Sequence, residues 1–254
     1  MADALNIEVG NLRFYDACPS EDQLNKFEKY VEMKKDFWPV DKILGKKSFY
    51  KLDFEVNCDV LSPRYDTEVL IDEAVTLFEK SKKLDILEFG TGSGCIIISL
   101  LDEYKNANAV GIDISLRALE TTQRNAINNN VSDRLNLINA SWFDDDIEKK
   151  INKKFDIIIS NPPYIPSKDI SQLDNEVKNY DPLIALDGGD DGLRDYRKIC
   201  ELANTLLKDD GFLIFEAGIN QANDIMQIAL LNNLKFVKIV KDLSNIERCV
   251  ILKK

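Results

Sequence analysis

The stretch LDILEFGTGSGCIIISLL, residues 84–101, decides the fold of this chain. It begins as a short apolar run, passes through Gly90-Thr91-Gly92-Ser93-Gly94, and ends as a second apolar run. Glycines allow the backbone to turn tightly and allow a ligand to approach the amide groups. The pattern therefore predicts a strand, a ligand-binding loop and a helix, as at the carboxyl end of a strand in a doubly wound sheet.

Further apolar runs alternate with helical patterns along the rest of the chain. Strands are predicted over 84–89, 109–113, 135–139, 155–160 and 212–216, and helices over 115–129 and 193–207. This alternation predicts an α/β fold with a parallel sheet covered on both faces. Two last runs, 236–240 and 248–252, are joined by a short polar loop and predict an antiparallel hairpin at the sheet. A mostly parallel, seven-stranded sheet of this kind resembles the class I S-adenosylmethionine-dependent methyltransferase fold.

The region before this sheet predicts a smaller, separate arrangement. Residues 20–36 show a helical pattern with Ser20 as its cap, and 48–61 alternate apolar and polar residues around Asn57, which predicts a β-hairpin. We therefore divide the chain into a short N-terminal helical segment (1–45), a hairpin linker (46–70) and a catalytic domain (71–254).

Composition excludes several kinds of site. None of the 254 residues is histidine, so histidine-based triads and histidine-ligated metals are excluded, and we expect no metal. The five cysteines are scattered without a C-x-x-C, which favours reduced thiols in the cytoplasm. The net charge of −11 argues against stable binding of nucleic acid. No apolar run is long enough for a membrane span, and we expect a monomer.

The glycine loop and the ends of neighbouring strands predict a site for a cationic cofactor. Glu88 precedes the loop, where a carboxylate disfavours a pyrophosphate but suits S-adenosylmethionine, a sulfonium with an ammonium group. Asp113 ends the second strand, where an acid accepts hydrogen bonds from ribose hydroxyls. Trp142 follows the third strand and lies either against the adenine or in the core. The assigned cofactor residues are Glu88, Gly90, Thr91, Gly92, Ser93, Gly94, Asp113, Trp142 and Asn161.

The sequence SNPPYI, residues 160–165, ends the fourth strand with an asparagine, two prolines and an aromatic ring. A planar amide or amino nitrogen is a poor nucleophile because its lone pair is delocalised. The Asn161 side-chain oxygen and the Pro162 carbonyl can accept its two N–H bonds and direct the lone pair at a sulfonium methyl. Tyr164 offers a face for the planar group. We assign catalysis to Asn161, Pro162 and Tyr164, and substrate binding to these residues and Pro163.

From about Trp38 to the C-terminus the chain resembles the HemK/PrmC family of protein-(glutamine-N5) methyltransferases, which modify peptide chain release factors. The resemblance rests on motifs that follow the family order: PRYDTE (63–68), EFGTGSGCI (88–96), GIDIS (111–115), SNPPYI (160–165), DPLIALDGGDDGLRDYRKI (181–199) and FLIFEAGINQ (212–221). It implies S-adenosylmethionine as methyl donor, S-adenosylhomocysteine as product, and the glutamine of a Gly-Gly-Gln loop as target.

The resemblance leaves several roles open. It implies that Arg64 and Glu68 support the site, or form a structural ion pair beneath the hairpin. The loop 188–192 lies near the substrate channel or is a structural turn. Tyr65 stands where the family commonly has proline, and Ser141 where an acid is frequent. The segment before Trp38 is shorter than the family's N-terminal helical bundle, so we expect this difference to affect docking of the release factor more than chemistry.

Three alternative functions share parts of these motifs. A ribosomal-protein glutamine methyltransferase tends to carry Pro-Arg-Ser-Pro where this chain has PRYDTE. An adenine-N6 methyltransferase acting on DNA or RNA shares Asn-Pro-Pro-Tyr but needs a basic groove, which the charge argues against. A non-enzymatic binding subunit would have a degenerate glycine loop or lack Asn161, and both are intact.

Overall fold

A seven-stranded sheet forms the centre of the molecule in a computed structural model that describes residues 1–254. Its strands are β3 (Asp85–Phe89), β4 (Asn108–Asp113), β5 (Leu135–Asn139), β6 (Phe155–Ser160), β7 (Leu207–Glu216), β8 (Lys235–Lys241) and β9 (Glu247–Lys253), and β1 (Lys46–Phe49) and β2 (Leu52–Glu55) form a separate hairpin. The order is β5-β4-β3-β6-β7-β9-β8. β9 alone runs in the direction opposite to the other six strands, so the predicted sheet is confirmed.

Ten helices accompany these strands. They are α1 (Ala2–Leu5), α2 (Glu21–Lys35), α3 (Val40–Leu44), α4 (Glu68–Leu77), α5 (Cys95–Glu103), α6 (Leu116–Asn128), α7 (Ile147–Ile151), α8 (Asn175–Tyr180), α9 (Arg194–Leu206) and α10 (Ala222–Leu231). Short 3₁₀ turns span Val9–Phe14, Tyr65–Thr67, Ser132–Arg134, Ser167–Gln172 and Leu183–Ala185. Helices α4, α5 and α6 contribute to one apolar cluster, and α7, α9 and α10 to another.

The strands divide their side chains between these two clusters. In β3, Leu87 and Phe89 join the cluster with α9 and α10, whereas Ile86 joins the cluster with α4 and α5. Successive strand residues point to opposite faces, so a strand with an apolar side chain at most positions must be covered on both faces. The continuous apolar runs of the sequence are therefore explained by the doubly wound arrangement.

The strand order reverses between β3 and β6, and this position defines the site. Strands β3, β4 and β5 proceed towards one edge, and β6 then returns to pair with β3, with Phe89 opposite Ser160. In such sheets the loops at the carboxyl ends diverge at the reversal and leave a crevice for ligands. The glycine loop after β3 and the Asn-Pro-Pro-Tyr segment after β6 therefore leave the sheet side by side.

The N-terminal helix forms as predicted but leaves much of its apolar face uncovered. Ser20 caps α2 and forms a reciprocal capping box with Gln23. No residue of α2 is buried, and Leu24 is 48% exposed. The segment after α2 is attached instead through a fully buried ion pair between Lys42 and Asp181 and through Trp38 packed on Tyr180.

The predicted position of the hairpin turn is wrong. The turn is formed by Tyr50 and Lys51, both with positive φ, and Asn57 lies beyond the second strand. Two-residue turns of this kind favour Asn-Gly or Asp-Gly, and the absence of that signal from the sequence explains the error. The boundary that we predict between residues 70 and 71 falls inside α4, where the helix is continuous.

The five cysteines are unpaired, and three of them, Cys95, Cys200 and Cys249, are buried. None of the helices combines the length and the apolar character that crossing a bilayer requires. No group of three or more acidic or cysteine side chains is arranged to hold a metal ion.

Candidate active site

A cleft of about 420 Å³ opens at the carboxyl ends of β3 and β6. This volume lies in the usual range for a small-molecule site, roughly 300–1,000 Å³. Most of the predicted site residues line it, namely Glu88, Gly90, Thr91, Gly92, Ser93, Asp113, Trp142, Asn161 and Pro163. Gly94, Pro162 and Tyr164 do not line it. The sequence therefore located the cleft. Gly94 serves helix packing and Tyr164 packs against the apolar cluster that contains α9 and α10, while the contact of the Pro162 carbonyl with a substrate stays a prediction.

The glycine loop turns through conformations that favour glycine. Gly90, Gly92 and Gly94 have φ angles of 78°, 54° and 80°. A Cβ atom on Gly94 would lie 2.7 Å from the side chain of Thr122 in α6, so this glycine is required by helix packing. A Cβ atom on Gly92 would meet nothing within 4 Å, and Gly92 lines the cleft. The loop thus presents its backbone to the cleft at Gly92.

Asp113 holds the glycine loop in place. Its two carboxylate oxygens accept hydrogen bonds from the backbone N–H of Gly92, at 2.9 Å, and of Ser115, at 2.9 Å. Burial raises the pKa of Asp113, while these two backbone donors lower it. Each carboxylate oxygen has a second lone pair, so the predicted contact with ribose hydroxyls remains compatible with the geometry.

Two further buried carboxyl groups, Glu88 and Asp195, line the cleft. Glu88 accepts a hydrogen bond from the N–H of Ile97 at 3.1 Å, and burial raises its pKa well above the ordinary value. Asp195 accepts a hydrogen bond from the Trp142 indole N–H at 2.9 Å, and burial also raises the pKa of Asp195. A bound cation would restore the charge of such carboxyl groups, because an opposite charge favours their ionised form.

Trp142 combines the two alternatives that the sequence left open. Its ring packs edge-to-face on Phe89 within the core, and the residue is 8% exposed. The same ring lines the cleft, and a Cβ atom on Gly90 would lie 3.7 Å from it. Trp142 is thus a core residue whose ring forms part of the cleft wall, and its contact with adenine stays a prediction.

The Asn-Pro-Pro-Tyr segment is held by hydrogen bonds on both sides. Before it, the Ser160 hydroxyl donates to the Phe89 carbonyl at 2.7 Å. After it, the Ile165 N–H donates to the Leu186 carbonyl at 3.0 Å, and the Gln221 amide donates to the Tyr164 carbonyl at 3.0 Å. Prolines fix φ and lack an N–H, so a segment anchored at both ends has little freedom left.

The loop 188–192 packs against the backbone of the Asn-Pro-Pro-Tyr segment. A Cβ atom on Gly188 would lie 2.7 Å from the Pro163 carbonyl oxygen, and one on Gly192 would overlap the Tyr164 carbonyl. Both glycines therefore allow two backbones to approach closely. The loop therefore has a structural role, because Gly188 and Gly192 lie directly against the backbone of the Asn-Pro-Pro-Tyr segment. Its position near a substrate channel stays a prediction.

Arg64 and Glu68 have separate partners. Arg64 lies in the cleft wall and pairs with Asp181 at 3.0 Å, whereas Glu68 accepts a hydrogen bond from the Tyr50 N–H in the hairpin turn at 3.0 Å. The alternative of an ion pair between Arg64 and Glu68 beneath the hairpin is therefore wrong. Arg64 belongs to the cleft, and Glu68 fixes the hairpin.

Two residues of the cleft and its support escaped the sequence analysis. Ser62 is 2% exposed, lines the cleft, and its hydroxyl has no hydrogen-bond partner. Glu216 lies buried behind Asn161 and accepts a hydrogen bond from the Thr67 hydroxyl at 2.5 Å. Thr67 lies in the PRYDTE motif and Glu216 in the FLIFEAGINQ motif. No local pattern indicates that two residues so far apart in the sequence are in contact.

The residues of the cleft fit S-adenosylmethionine. Three carboxyl groups suit its positive charges, the open backbone at Gly92 allows close approach, and an unpartnered buried hydroxyl such as Ser62 marks a position where a ligand can complete hydrogen bonding. Glu88, Asp113 and Asp195 would hold the cationic and hydroxyl groups, and Trp142 would contact the base.

Comparison with known proteins agrees with this chemistry. Residues 66–176 match the family described as Methyltransferase small domain. A bifunctional methyltransferase of Rickettsia typhi is 40% identical over 91% of this chain and 47% of its own length. A release factor glutamine methyltransferase of Fusobacterium nucleatum is 36% identical over 100% of this chain and 71% of its own length. The chain belongs to the release factor glutamine methyltransferase family.

Membership of this family confirms the resemblance drawn from the sequence motifs. The chain spans about half the length of the Rickettsia relatives it matches, 47% in two of them. A methyltransferase crystal structure from Pyrococcus furiosus superposes with a TM-score of 0.57, covers 91% of this chain and 98% of its own, and is 18% identical. That similarity confirms the class I methyltransferase fold.

Proposed function

We propose that this chain transfers a methyl group from S-adenosylmethionine to the side-chain amide nitrogen of the glutamine in the Gly-Gly-Gln loop of a peptide chain release factor. The observation that carries the proposal is the position of Asn161 in the wall of the cleft that also contains the glycine loop and Asp113. Membership of the release factor glutamine methyltransferase family supports the choice of acceptor.

The acceptor side supplies two fixed hydrogen-bond acceptors. Asn161 Oδ1, in the cleft wall, accepts one N–H bond of the glutamine amide. The Pro162 carbonyl oxygen, the next main-chain acceptor along the segment although Pro162 itself does not line the cleft, accepts the other, which favours a pyramidal nitrogen. The prolines and the anchored backbone on both sides keep these acceptors in position before the substrate arrives. Such preorganisation lowers the barrier because little ordering remains for the transition state.

The donor side holds and orients the cofactor. S-adenosylmethionine, when bound, supplies an electrophilic methyl group. Glu88 offers a buried carboxyl group to its cationic groups, and Asp113 offers hydrogen-bond acceptors next to the glycine loop. Asp195, which pairs with Arg194 and accepts a hydrogen bond from Trp142, holds the Trp142 ring in the cleft wall. No general base is needed, because an N-methylated amide cation is strongly acidic and loses its proton unaided, which agrees with a chain without histidine.

Labelling with S-adenosylmethionine that carries a radioactive methyl group tests this proposal. We expect label in purified release factor, and none in ribosomes or bulk DNA offered as parallel acceptors. Asn161→Ala serves as the chemical control, and Asn136→Ala, an exposed asparagine in β5, serves as the matched control. Label confined to ribosomal protein or to nucleic acid would overturn the choice of acceptor while leaving the cofactor assignment intact.

A further inference from the structure

Glu216 and Asn161 leave the sheet as neighbours. Strands β6 and β7 are parallel, and Ser160 at the end of β6 lies opposite Phe215. The next residues along the two strands are Asn161 and Glu216. Adjacent strands lie about 4.8 Å apart and residues in register point to the same face, so the carboxyl group of Glu216 lies beside the amide of Asn161.

The surroundings of Glu216 are built around its carboxyl group. The side chain is buried, and the Thr67 hydroxyl donates to its Oε2 at 2.5 Å. The Asn161 amide lies against the same group and, like Thr67 and Arg248, lowers the pKa of Glu216. Burial outweighs these contributions and raises that pKa to about 7.

Other titratable groups also face Glu216. Asp66, which precedes Thr67, raises the pKa of Glu216, and Arg248 of β9 lowers it. The remaining groups are Tyr164 after β6, Tyr196 of α9, Cys95 of α5 and Cys249 of β9. Burial raises the pKa of each of these four, so they remain neutral near neutral pH. Of the five groups whose pKa burial raises here, Glu216 is the one that titrates close to neutral pH.

The charge of Glu216 decides which end of the Asn161 amide faces the cleft. An ionised carboxylate accepts hydrogen bonds only, so it attracts the Asn161 NH₂ group and leaves Oδ1 on the opposite side. A protonated carboxyl group can donate to Oδ1 and so favours the reversed amide. The reversed amide presents N–H groups to the substrate, and these cannot accept the N–H bonds of a glutamine amide.

We propose that Glu216 is a positioning residue: its carboxylate, beside Asn161 at the ends of β6 and β7, accepts a hydrogen bond from the Asn161 NH₂ group and so turns Oδ1 towards the acceptor nitrogen. The Thr67 hydroxyl, which donates to Glu216, favours the ionised form that does so. This inference rests on the proposed function, because it assigns a cause to the orientation that methyl transfer requires. The same inference gives the Asp-Thr-Glu motif at residues 66–68 an indirect role in catalysis. Thr67 of this motif acts on Glu216, and Glu216 acts on Asn161.

Substitutions at Glu216 and Thr67 test this inference by kinetics. Glu216→Gln should lower kcat by about tenfold or more at a pH above 7, with the KM for S-adenosylmethionine changed less than about threefold. The wild-type rate should rise with pH through neutrality, and this rise should disappear in Glu216→Gln. Thr67→Val should move the rise to higher pH, and Thr67→Ser, which retains the hydroxyl, should restore its position.

A merely structural role for Glu216 would leave the pH profile of Thr67→Val unmoved, and that result would overturn the inference. Glu201→Gln, at an exposed position of α9, is the matched control. A wild type that labels no acceptor would contradict the proposed function instead. The inference is then still decided by NMR of the Asn161 side-chain amide, identified by its loss in Asn161→Ala. Its signals should shift with pH near neutrality in the wild type and not in Glu216→Gln.

Discussion

The two sides of the cleft are stabilised over very different distances along the chain. On the cofactor side, the glycine loop is held by Asp113, which is about twenty residues away and ends the adjacent strand. On the acceptor side, Asn161 and Tyr164 depend on Glu216 and Gln221, more than fifty residues away. Substitutions on the cofactor side should therefore alter mainly the affinity for the ligand. Substitutions on the acceptor side should alter both the rate of methyl transfer and the free energy of unfolding.

The largest expected effect is that of Asn161→Ala on methyl transfer. Loss of the fixed acceptor should lower kcat by about 100- to 1,000-fold, as for other preorganised electrostatic groups. The affinity for S-adenosylmethionine, measured by calorimetry, should change less than about threefold. Near wild-type turnover in this variant would show that Asn161 takes no part in the chemistry. The proposed difference between the cofactor side and the acceptor side would then be wrong.

Alanine at Gly192 and at Gly92 compares the two sides by stability. Both residues have positive φ, but a Cβ atom at Gly192 would also overlap the Tyr164 carbonyl, whereas at Gly92 it meets nothing within 4 Å. Gly192→Ala should lower the free energy of unfolding by about 3 kcal/mol, and Gly92→Ala by about 1 kcal/mol. Urea denaturation measures both, and equal losses would contradict the proposed difference in support.

The pH dependence of stability tests the environment of Glu216. Its folded-state pKa of about 7 lies above the ordinary 4.5, so the folded chain holds this proton more tightly than the unfolded chain. The stability that this group contributes is complete below about pH 4.5 and is lost as the pH rises through 7. Relative to the wild type, the free energy of unfolding of Glu216→Gln should therefore rise by about 3 kcal/mol between pH 4.5 and pH 8. A constant difference in the free energy of unfolding between these two pH values would contradict the assigned pKa.

Asp113→Ala is expected to have a smaller effect than Asn161→Ala, and to act on binding of the cofactor. Loss of the carboxylate should weaken binding of S-adenosylmethionine by about tenfold, or roughly 1.4 kcal/mol, because both the loop support and the predicted ribose contact are removed. Turnover at saturating cofactor should fall by less than about threefold. An unchanged dissociation constant in calorimetry would contradict the ribose assignment.

The strands and the glycine loop on the cofactor side are predicted well because their signals are local. The strand, the glycine loop and the acid at the end of the next strand lie within residues 84–113, and the strands over 135–139 and 155–160 match the structure at both ends. Periodicity and glycine position carry this information directly. The hairpin turn was misplaced because Tyr50 and Lys51 adopt positive φ without the usual turn residues.

The acceptor side was predicted only in part because its supports are distant. SNPPYI was visible, but the contact of Gly188 and Gly192 with its backbone depends on how a loop folds back after the strand. The meeting of Thr67 with Glu216 requires the sheet register and the position of α4, which no pattern in a single segment contains. The exposed apolar face of α2 was likewise not evident, since periodicity predicts a helix but not what covers it.

Mass spectrometry of methylated release factor shows whether Asn161 and Pro162 prepare a glutamine amide for methylation. Release factor is incubated with S-adenosylmethionine and either the wild-type chain or Asn161→Ala, and its peptides are then sequenced. We predict one added methyl on the glutamine of the Gly-Gly-Gln loop with the wild type, and a strongly reduced yield with Asn161→Ala. A methyl group on another residue, or an equal yield with both chains, would contradict the account.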